Sequence, residues 1–263
     1  MTQTPHAKSP TDIVWAMPFF SDLSDAEKAE MLKVASFRHH KRNEMIFLQG
    51  DPLTHLYWVC KGAVQMFRET PDGHELTSSF RIIGDVVFDP DAAKLKHNHT
   101  MNARALEEVM LFTLPAGWID ENLQAYDHLA RKFMTLLSLQ VHEAQIAIEH
   151  QATMNAAQIV ACFLQHLCVL HKFNPRGFDL PYSKSLIASR LGMQLESFSR
   201  TLPKLRELGI IVSGKHVSFE NIAATQQFSC GACSVAEECH THQGMRALTQ
   251  GTGTTATAKA TAH

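Results

Sequence analysis

The spacing of hydrophobic positions divides the chain into a central region that favours strands and flanking regions that favour helices. Residues 39–115 contain short apolar segments separated by turn signals such as Gly50-Asp51, Lys61-Gly62 and Asp72-Gly73. Strands of this length and spacing are typical of a β-barrel or jelly roll. The preceding segment, residues 14–37, has helical spacing, and Ser24 is placed to cap its helix.

After residue 119 the pattern becomes helical again. Apolar residues alternate at spacings of three and four over about three heptads, which predicts a long helix at 120–155 that pairs with a second copy. The alternative is a helix packed on its own domain. A second helix is predicted at 156–170, with Cys162 and Cys168 as small core residues. The predicted dimer seam consists of Met134, Leu137, Val141, Ala144 and Ile148, and Gln151 and Asn155 extend it.

Two short helices around a tight turn are predicted over residues 183–208. Ser183 is the candidate N-cap of the first helix, Gly192 supplies the turn, and Gly209 ends the second helix. Pro203 lies inside the second helix and is expected to kink it, because proline cannot donate to the carbonyl of Ser199. A β-hairpin at 210–219 completes a winged helix-turn-helix pattern.

The second of these helices has one apolar face and one face suited to a DNA major groove. Phe198, Leu202 and Leu205 share the predicted buried face. A glutamate on another face can accept from the cytosine amino group, and an arginine can donate to guanine. The alternative is a solvated face with an ion pair four residues apart. The predicted base-reading residues are Glu196, Ser199 and Arg200, and the predicted phosphate contacts are Lys184, Lys204 and Lys215.

Composition limits the class of protein further. The chain has 263 residues, of which 45% are hydrophobic, and a net charge of −2, so it can hold two modest globular domains without an overall basic surface. No apolar run approaches the length of a membrane span, and we expect a cytoplasmic protein without a membrane partner. The sequence lacks the paired carboxylates, nucleophile–base sets or phosphate loop of an enzyme, and we expect no enzymatic activity.

The sequence LPYSKSLIASRLGMQLESFSRTLPKLRELGIIV, from Leu180 to Val212, resembles the winged helix-turn-helix of the CRP/FNR family of bacterial transcription regulators. Within it, the five residues ESFSR from Glu196 resemble the E-[ST]-x-S-R signature of the FNR branch. The resemblance implies an RNA polymerase partner and a homodimer on a TTGAT-N4-ATCAA palindrome of double-stranded DNA.

The resemblance extends from about Phe19 to Phe228 and implies an α+β fold. It comprises an N-terminal sensory domain that resembles a cyclic-nucleotide-binding β-roll, or jelly roll, a long dimerisation helix and a C-terminal winged helix-turn-helix. We place these parts at 14–119, 120–155 and 156–228, followed by a Cys-rich tail at 229–243 and a disordered tail at 244–263.

Three cysteines in the tail have the spacing C-x2-C-x5-C, at Cys230, Cys233 and Cys239. Thiolates this close in a cytoplasmic protein favour an iron–sulfur cluster or zinc. The spacing resembles the [4Fe–4S] ligand motif of oxygen-sensing FNR proteins, although there it precedes the β-roll, and here the segment before Phe20 contains no cysteine. We expect a [4Fe–4S] cluster that responds to oxygen, nitric oxide or redox state, with zinc or metal-free redox thiols as alternatives.

The sequence leaves the fourth ligand of such a centre open. The β-roll position that supplies it in oxygen-sensing FNR proteins is Phe112 here. The candidates are Cys60 in the β-roll and His240 or His242 in the tail. A ligand set of three cysteines and one histidine is common for zinc.

Two other ligands of family members are disfavoured. The segment that would bind a cyclic nucleotide phosphate contains Gly84-Asp85-Val86 and then His97-Asn98-His99, without the arginine that would contact the phosphate, so cAMP is not expected. Haem could be ligated by His97 or His99, but a solvated loop is the preferred interpretation.

Overall fold

The computed structural model describes residues 9–89, 98–231 and 233–249. The chain forms two compact units, residues 1–142 and 143–263, and the boundary falls inside one long helix. No helix in the described ranges combines the length and apolar character that a membrane crossing requires.

The first unit contains helices at its ends and strands between them. Its first helix is capped by Ser9, and its second by Ser24, whose hydroxyl accepts from the backbone of Glu27 while the Glu27 carboxylate accepts from the backbone of Ser24. The predicted cap at Ser24 is therefore confirmed. The elements are α1 (Pro10–Trp15), α2 (Asp25–Val34), β1 (Ser36–His40), β2 (Met45–Phe47), β3 (His55–Lys61), β4 (Val64–Glu69), β5 (Glu75–Arg81), β6 (Val86–Val87), β7 (Asn102–Ala105), β8 (Val109–Pro115) and α3 (Ala116–Ala125).

In the described part of this unit, the strands form two four-stranded antiparallel sheets, ordered β1-β8-β3-β6 and β2-β7-β4-β5. Residues from both sheets, such as Val59 of β3 and Met66 of β4, form the core of the roll. The opposite side of β3 and β8, at Trp58 and Phe112, packs on the helices in a second core. Burial on both faces explains why these strands read as continuous apolar runs.

The long helix α4 (Asp127–Thr153) starts later than the predicted position 120. The backbone of Tyr126 is extended and ends α3, so the predicted single helix is divided in two. Asn155 is not part of α4, because its side chain caps the next helix, α5 (Ala156–Leu170). The predicted bounds of the helix at 156–170 are confirmed.

The predicted dimer seam on α4 is largely exposed. Met134, Val141 and Ile148 have 66%, 57% and 70% of their surface accessible, which is unusual for large apolar side chains at regular helical spacing. Ala144 is also exposed. Leu137 departs from this pattern, since it is partly buried against the core of the first unit.

The second unit contains the helix-turn-helix in the predicted positions. Ser183 accepts from the backbone N–H of Leu186, and the positive φ angles of Gly192 (65°) and Gly209 (82°) allow the turn and the end of the second helix. The elements are β9 (Phe178–Asp179), α6 (Lys184–Arg190), α7 (Leu195–Glu207), β10 (Ile210–Ser213) and β11 (His216–Phe219), and the described strands form a sheet ordered β10-β11-β9.

The C-terminal segment is more ordered than predicted. Two further helices, α8 (Ile222–Cys230) and α9 (His240–Thr249), pack on α5 and on each other. The prediction of disorder from residue 244 is wrong for 244–249, because Met245 is fully buried and Gly244 lets α9 approach Val169 closely. Residues 250–263 lie outside the described ranges.

Candidate functional site

The predicted base-reading residues share one exposed face of α7. Phe198 and Leu205 are fully buried on the opposite side and fix the rotation of the helix. Glu196, Ser199 and Arg200 are exposed, and within the described residues their side chains make no hydrogen bond or ion pair with the protein. The alternative interpretation of an intrahelical Glu196–Arg200 ion pair therefore has no support in this geometry. We call these three residues the recognition face.

Helix α7 continues through Pro203 from Leu195 to Glu207. The predicted kink at Pro203 stays a prediction, because the bounds show only that the helix is not broken there, and proline leaves the Ser199 carbonyl without its helical donor. The hydroxyl of Thr201 donates to the carbonyl of Phe198 at 2.7 Å.

The three predicted phosphate contacts occupy different environments. Lys215 is exposed beside Gly214 in the hairpin between β10 and β11, and Lys184 is half-buried at the start of α6. The Nζ atom of Lys204 lies 5.7 Å from the ring centroid of Phe228 on α8. This cation–π contact links the recognition helix to the helix that ends in the tail cysteines.

The tail cysteines, Cys230, Cys233 and Cys239, follow one another around the connection between α8 and α9. Cys230 is the last residue of α8, and its carbonyl accepts from the N–H of Cys233 at 3.1 Å, which closes a tight turn. Cys239 directly precedes α9. All three are half-buried and free of disulfides.

Polar side chains on one face of α5, here called the polar stripe, contact α8 and α9. Gln158 Nε2 donates to the Phe228 carbonyl at 3.0 Å, and Gln165 Nε2 donates to Ser229 Oγ at 3.1 Å. His166 Nδ1 lies 3.0 Å from Thr241 Oγ1 on α9. These bonds attach both tail helices to the same face of α5.

Cys162 belongs to this face and is a functional candidate that the sequence interpretation missed. It is only half-buried, in contrast to Cys168, which is fully buried as predicted. Burial, followed by the negative charges of the tail cysteines, raises the pKa of Cys162 to about 12. The bonds from Gln158 to Phe228 and from His166 to Thr241 place Cys162 on the side of α5 that faces the tail helices. The sequence signal was the presence of Gln158, Gln165 and His166 in an otherwise apolar helix.

The described thiols of the second unit are not arranged as a set of metal ligands. Among the described residues, no three His, Cys, Asp or Glu side chains are positioned to hold a metal ion. Burial raises the pKa of Cys230 and of Cys233. The donor chemistry of several neighbouring thiols fits a thiolate-bound iron–sulfur or zinc centre, whose positive charge would favour deprotonation.

The tail is also attached to the end of α4. The Glu149 carboxylate accepts from the backbone N–H and from the hydroxyl of Ser234, both at 2.7 Å, and these bonds lower the pKa of Glu149. Cys233 Sγ lies 3.6 Å from His150 Nε2. Glu149 and His150 are therefore further residues that the sequence interpretation did not identify.

The predicted fourth-ligand candidates differ in accessibility. Cys60 is buried in β3 of the first unit, where burial raises its pKa to about 11. His240 is exposed at the start of α9. His242 has two buried ring nitrogens without hydrogen-bond partners among the described residues, and its Nε2 lies 3.9 Å from Glu237 Oε1.

Two positions of the first unit bear on the disfavoured ligands. His99 is buried and stacks on Phe47 with ring centroids 3.6 Å apart, which leaves little access for a haem iron. The Asp85 carboxylate accepts from the backbone of Ile82 at 2.9 Å. His97 lies outside the described residues.

Each half of the chain matches a known protein family. Residues 37–126 match the cyclic nucleotide-binding domain family, and residues 159–227 match the Crp-like helix-turn-helix domain family. Electron transport regulator A of Shewanella oneidensis is 30% identical, over 67% of this chain and 72% of that protein. The fumarate and nitrate reduction regulatory protein of Escherichia coli K12 is 29% identical, over 72% of this chain and 76% of that protein.

Solved structures show the same fold. FixK2 from Bradyrhizobium japonicum has a TM-score of 0.65 at 22% identity, covering 74% of this chain and 97% of that chain. The chain thus shares the fold of FixK2, and its sequence relatives include proteins named as anaerobic regulatory proteins. The chain belongs to the CRP/FNR family of transcription regulators.

Proposed function

We propose that this regulator reads an FNR-like TTGAT-N4-ATCAA palindrome through its recognition face. The observation that carries the proposal is the exposure of Glu196, Ser199 and Arg200 on one side of α7 while Phe198 is buried on the other. A rigid helix that presents a carboxylate and a guanidinium side by side suits the cytosine and guanine edges of a major groove.

In this proposal two copies bind the two half-sites, and α4 supplies their contact. The exposed positions Met134, Val141 and Ile148 repeat every seven residues, as a two-helix seam requires. Lys184, Lys204 and Lys215 contact phosphates beside the half-site. RNA polymerase is the expected partner once the dimer is bound to a promoter.

We further propose that the tail cysteines hold an iron–sulfur cluster through which the protein responds to oxygen, nitric oxide or redox state. Three free cysteines lie around the connection between α8 and α9, which both pack on α5, and this supports the proposal, as does the similarity to proteins named as anaerobic regulators. A bound cluster would supply reactivity toward oxygen and nitric oxide together with positive charge for the thiolates.

The residues around the tail provide two routes by which its order can affect DNA binding. Phe228, two residues before Cys230, contacts Lys204 on the recognition helix. Glu149, beside Ile148 of the seam, holds Ser234 within the tail connection. A tail that loses order therefore releases contacts to α7 and to α4.

Anaerobic purification followed by iron and sulfide analysis tests the sensing part of the proposal. We expect about four irons and four sulfides per chain and a broad visible band that bleaches in air. Cys233→Ala is expected to lose the cluster and the response of DNA binding to air. A colourless wild-type protein with one zinc or no metal, or an unchanged air response of Cys233→Ala, contradicts the cluster.

A further inference from the structure

The polar stripe on α5 has a cysteine at its centre. Counted from Gln158, Cys162 is at i+4, Gln165 at i+7, His166 at i+8 and Val169 at i+11, and side chains at these spacings share one helix face. Each of the other four contacts the tail helices, at Phe228, Ser229, Thr241 and Gly244. Cys162 therefore faces the same surface of the tail.

The contacts on either side of Cys162 involve immediate neighbours of the tail cysteines. Phe228 and Ser229, which Gln158 and Gln165 bind, directly precede Cys230. Thr241, which His166 contacts, follows Cys239 by two residues. The two helix ends that carry the tail cysteines thus meet on α5 around Cys162, and all of these residues lie in the second compact unit.

The segment between those helix ends can adjust without unfolding a regular element. At its described residues, the connection from Gly231 to Cys239 contains turns but no helix or strand. It is fastened to Glu149 through Ser234 and to α9 through the Gln243 side chain, which donates to the Glu237 carbonyl at 2.8 Å. Cys233 therefore lies in a segment that is held by side-chain bonds and belongs to no helix or strand.

We propose that Cys162 is the fourth thiolate ligand of the C-terminal centre, completing a four-cysteine set with Cys230, Cys233 and Cys239. The assignment rests on the proposed cluster function. Four cysteine thiolates are the usual ligands of a [4Fe–4S] cluster. A bound cluster would be held by Cys162 as a thiolate, whose proton would pass to solvent.

The test compares Cys162→Ala and Cys162→Ser with a matched control, Cys168→Ala. Both cysteines lie on α5, but the Cys168 thiol donates to the Phe173 carbonyl and is fully buried. Each full-length protein is reconstituted anaerobically with iron and sulfide, and its iron, sulfide and visible absorption are measured. Circular dichroism verifies folding, and His242→Ala tests the competing tail ligand.

We expect the wild type, Cys168→Ala and His242→Ala to contain about four irons per chain, and both Cys162 variants to contain less than about half of that. Wild-type iron and absorption in folded Cys162→Ala and Cys162→Ser overturn the assignment while leaving the cluster in place. Equal loss in Cys168→Ala also overturns it, because the effect would then come from packing of α5. A wild type without iron or sulfide refutes the cluster and the ligand assignment together.

Discussion

At the scale of single residues, the burial of Phe198 determines which side chains α7 presents to solvent. Because that ring is fully buried, Glu196 and Arg200 cannot turn inward without unpacking the helix. Glu196→Ala is expected to reduce discrimination at the C·G pair of the half-site by about 1–3 kcal/mol, since the cytosine amino group loses its acceptor.

Competition binding with half-site variants measures this discrimination. The matched control is Glu207→Ala, which removes an exposed carboxylate from the last turn of the same helix. An unchanged preference at the C·G pair in Glu196→Ala contradicts the proposed recognition face, whereas Glu207→Ala is expected to keep the wild-type preference.

His99 allows a prediction about pH at the same scale. Burial lowers its pKa, and the charges of Asp89 and Asp51 oppose that effect only in part. Below about pH 6.5 the unfolded chain binds a proton that the folded chain excludes, so folding stability falls as pH falls, by at most about 1.4 kcal/mol per pH unit for one group.

Denaturant unfolding at pH 7 and pH 5 tests this contribution. His99→Gln is expected to lose less stability between the two pH values than the wild type does. His39→Gln, at an exposed position on β1, is the control and should keep the wild-type difference. An equal loss in all three proteins would show that His99 is not buried in its neutral form.

Single residues also show what sequence could and could not predict. Ser24, Ser183, Gly192 and Gly209 act locally, so their caps and turns follow from their neighbours in sequence. The sequence pattern predicts a core position for Cys162, because most of α5 is apolar. Its exposure to the tail depends on how α8 and α9 pack, which no local pattern encodes.

At the scale of elements, α4 carries an apolar seam that is open to solvent. Val141→Asp places a charge between two predicted seam helices and is expected to shift the protein toward monomer at micromolar concentration. His142→Asp is the control, because the next residue lies about 100° around the helix.

Sedimentation equilibrium distinguishes these variants. Dimerisation of Val141→Asp with wild-type affinity would contradict the seam. A monomeric His142→Asp would also contradict the seam, because a charge placed elsewhere on α4 would then disrupt the dimer equally well.

Helix α8 provides a second prediction at this scale, because Phe228 joins the tail to the recognition helix. Phe228→Leu keeps an apolar side chain and the backbone bond from Gln158 but removes the ring that contacts Lys204. We expect unchanged iron content and a smaller difference between DNA affinities before and after air exposure. If this variant keeps the wild-type difference in DNA affinity between the two states, Phe228 does not transmit the signal from the cysteine site.

The elements explain why the C-terminal segment was harder to predict than the helix-turn-helix. In α7 the apolar positions repeat over several turns and both ends carry clear signals. In α9 a single fully buried residue, Met245, anchors a helix that also contains Gly244, a poor helix former. Its packing against Val169 and His166 stabilises it, and such contacts are invisible in the local sequence.

At the scale of the whole molecule, DNA binding that responds to oxygen requires energetic coupling between the cysteine site and DNA. Coupling free energies between sites are typically about 1–3 kcal/mol, which corresponds to roughly 5- to 150-fold in affinity. The contacts of the tail with Lys204 and Glu149 are the physical connections that could carry it. Loss of the cluster is therefore expected to weaken DNA binding without unfolding the β-roll.

The most direct test is the affinity of one anaerobic wild-type preparation for the TTGAT-N4-ATCAA site, measured by fluorescence anisotropy before and after exposure to air. We predict that air weakens binding by at least about fivefold, in parallel with loss of the visible band. Equal affinity in both states, despite loss of the band, would contradict the claim that the C-terminal cysteines control DNA recognition.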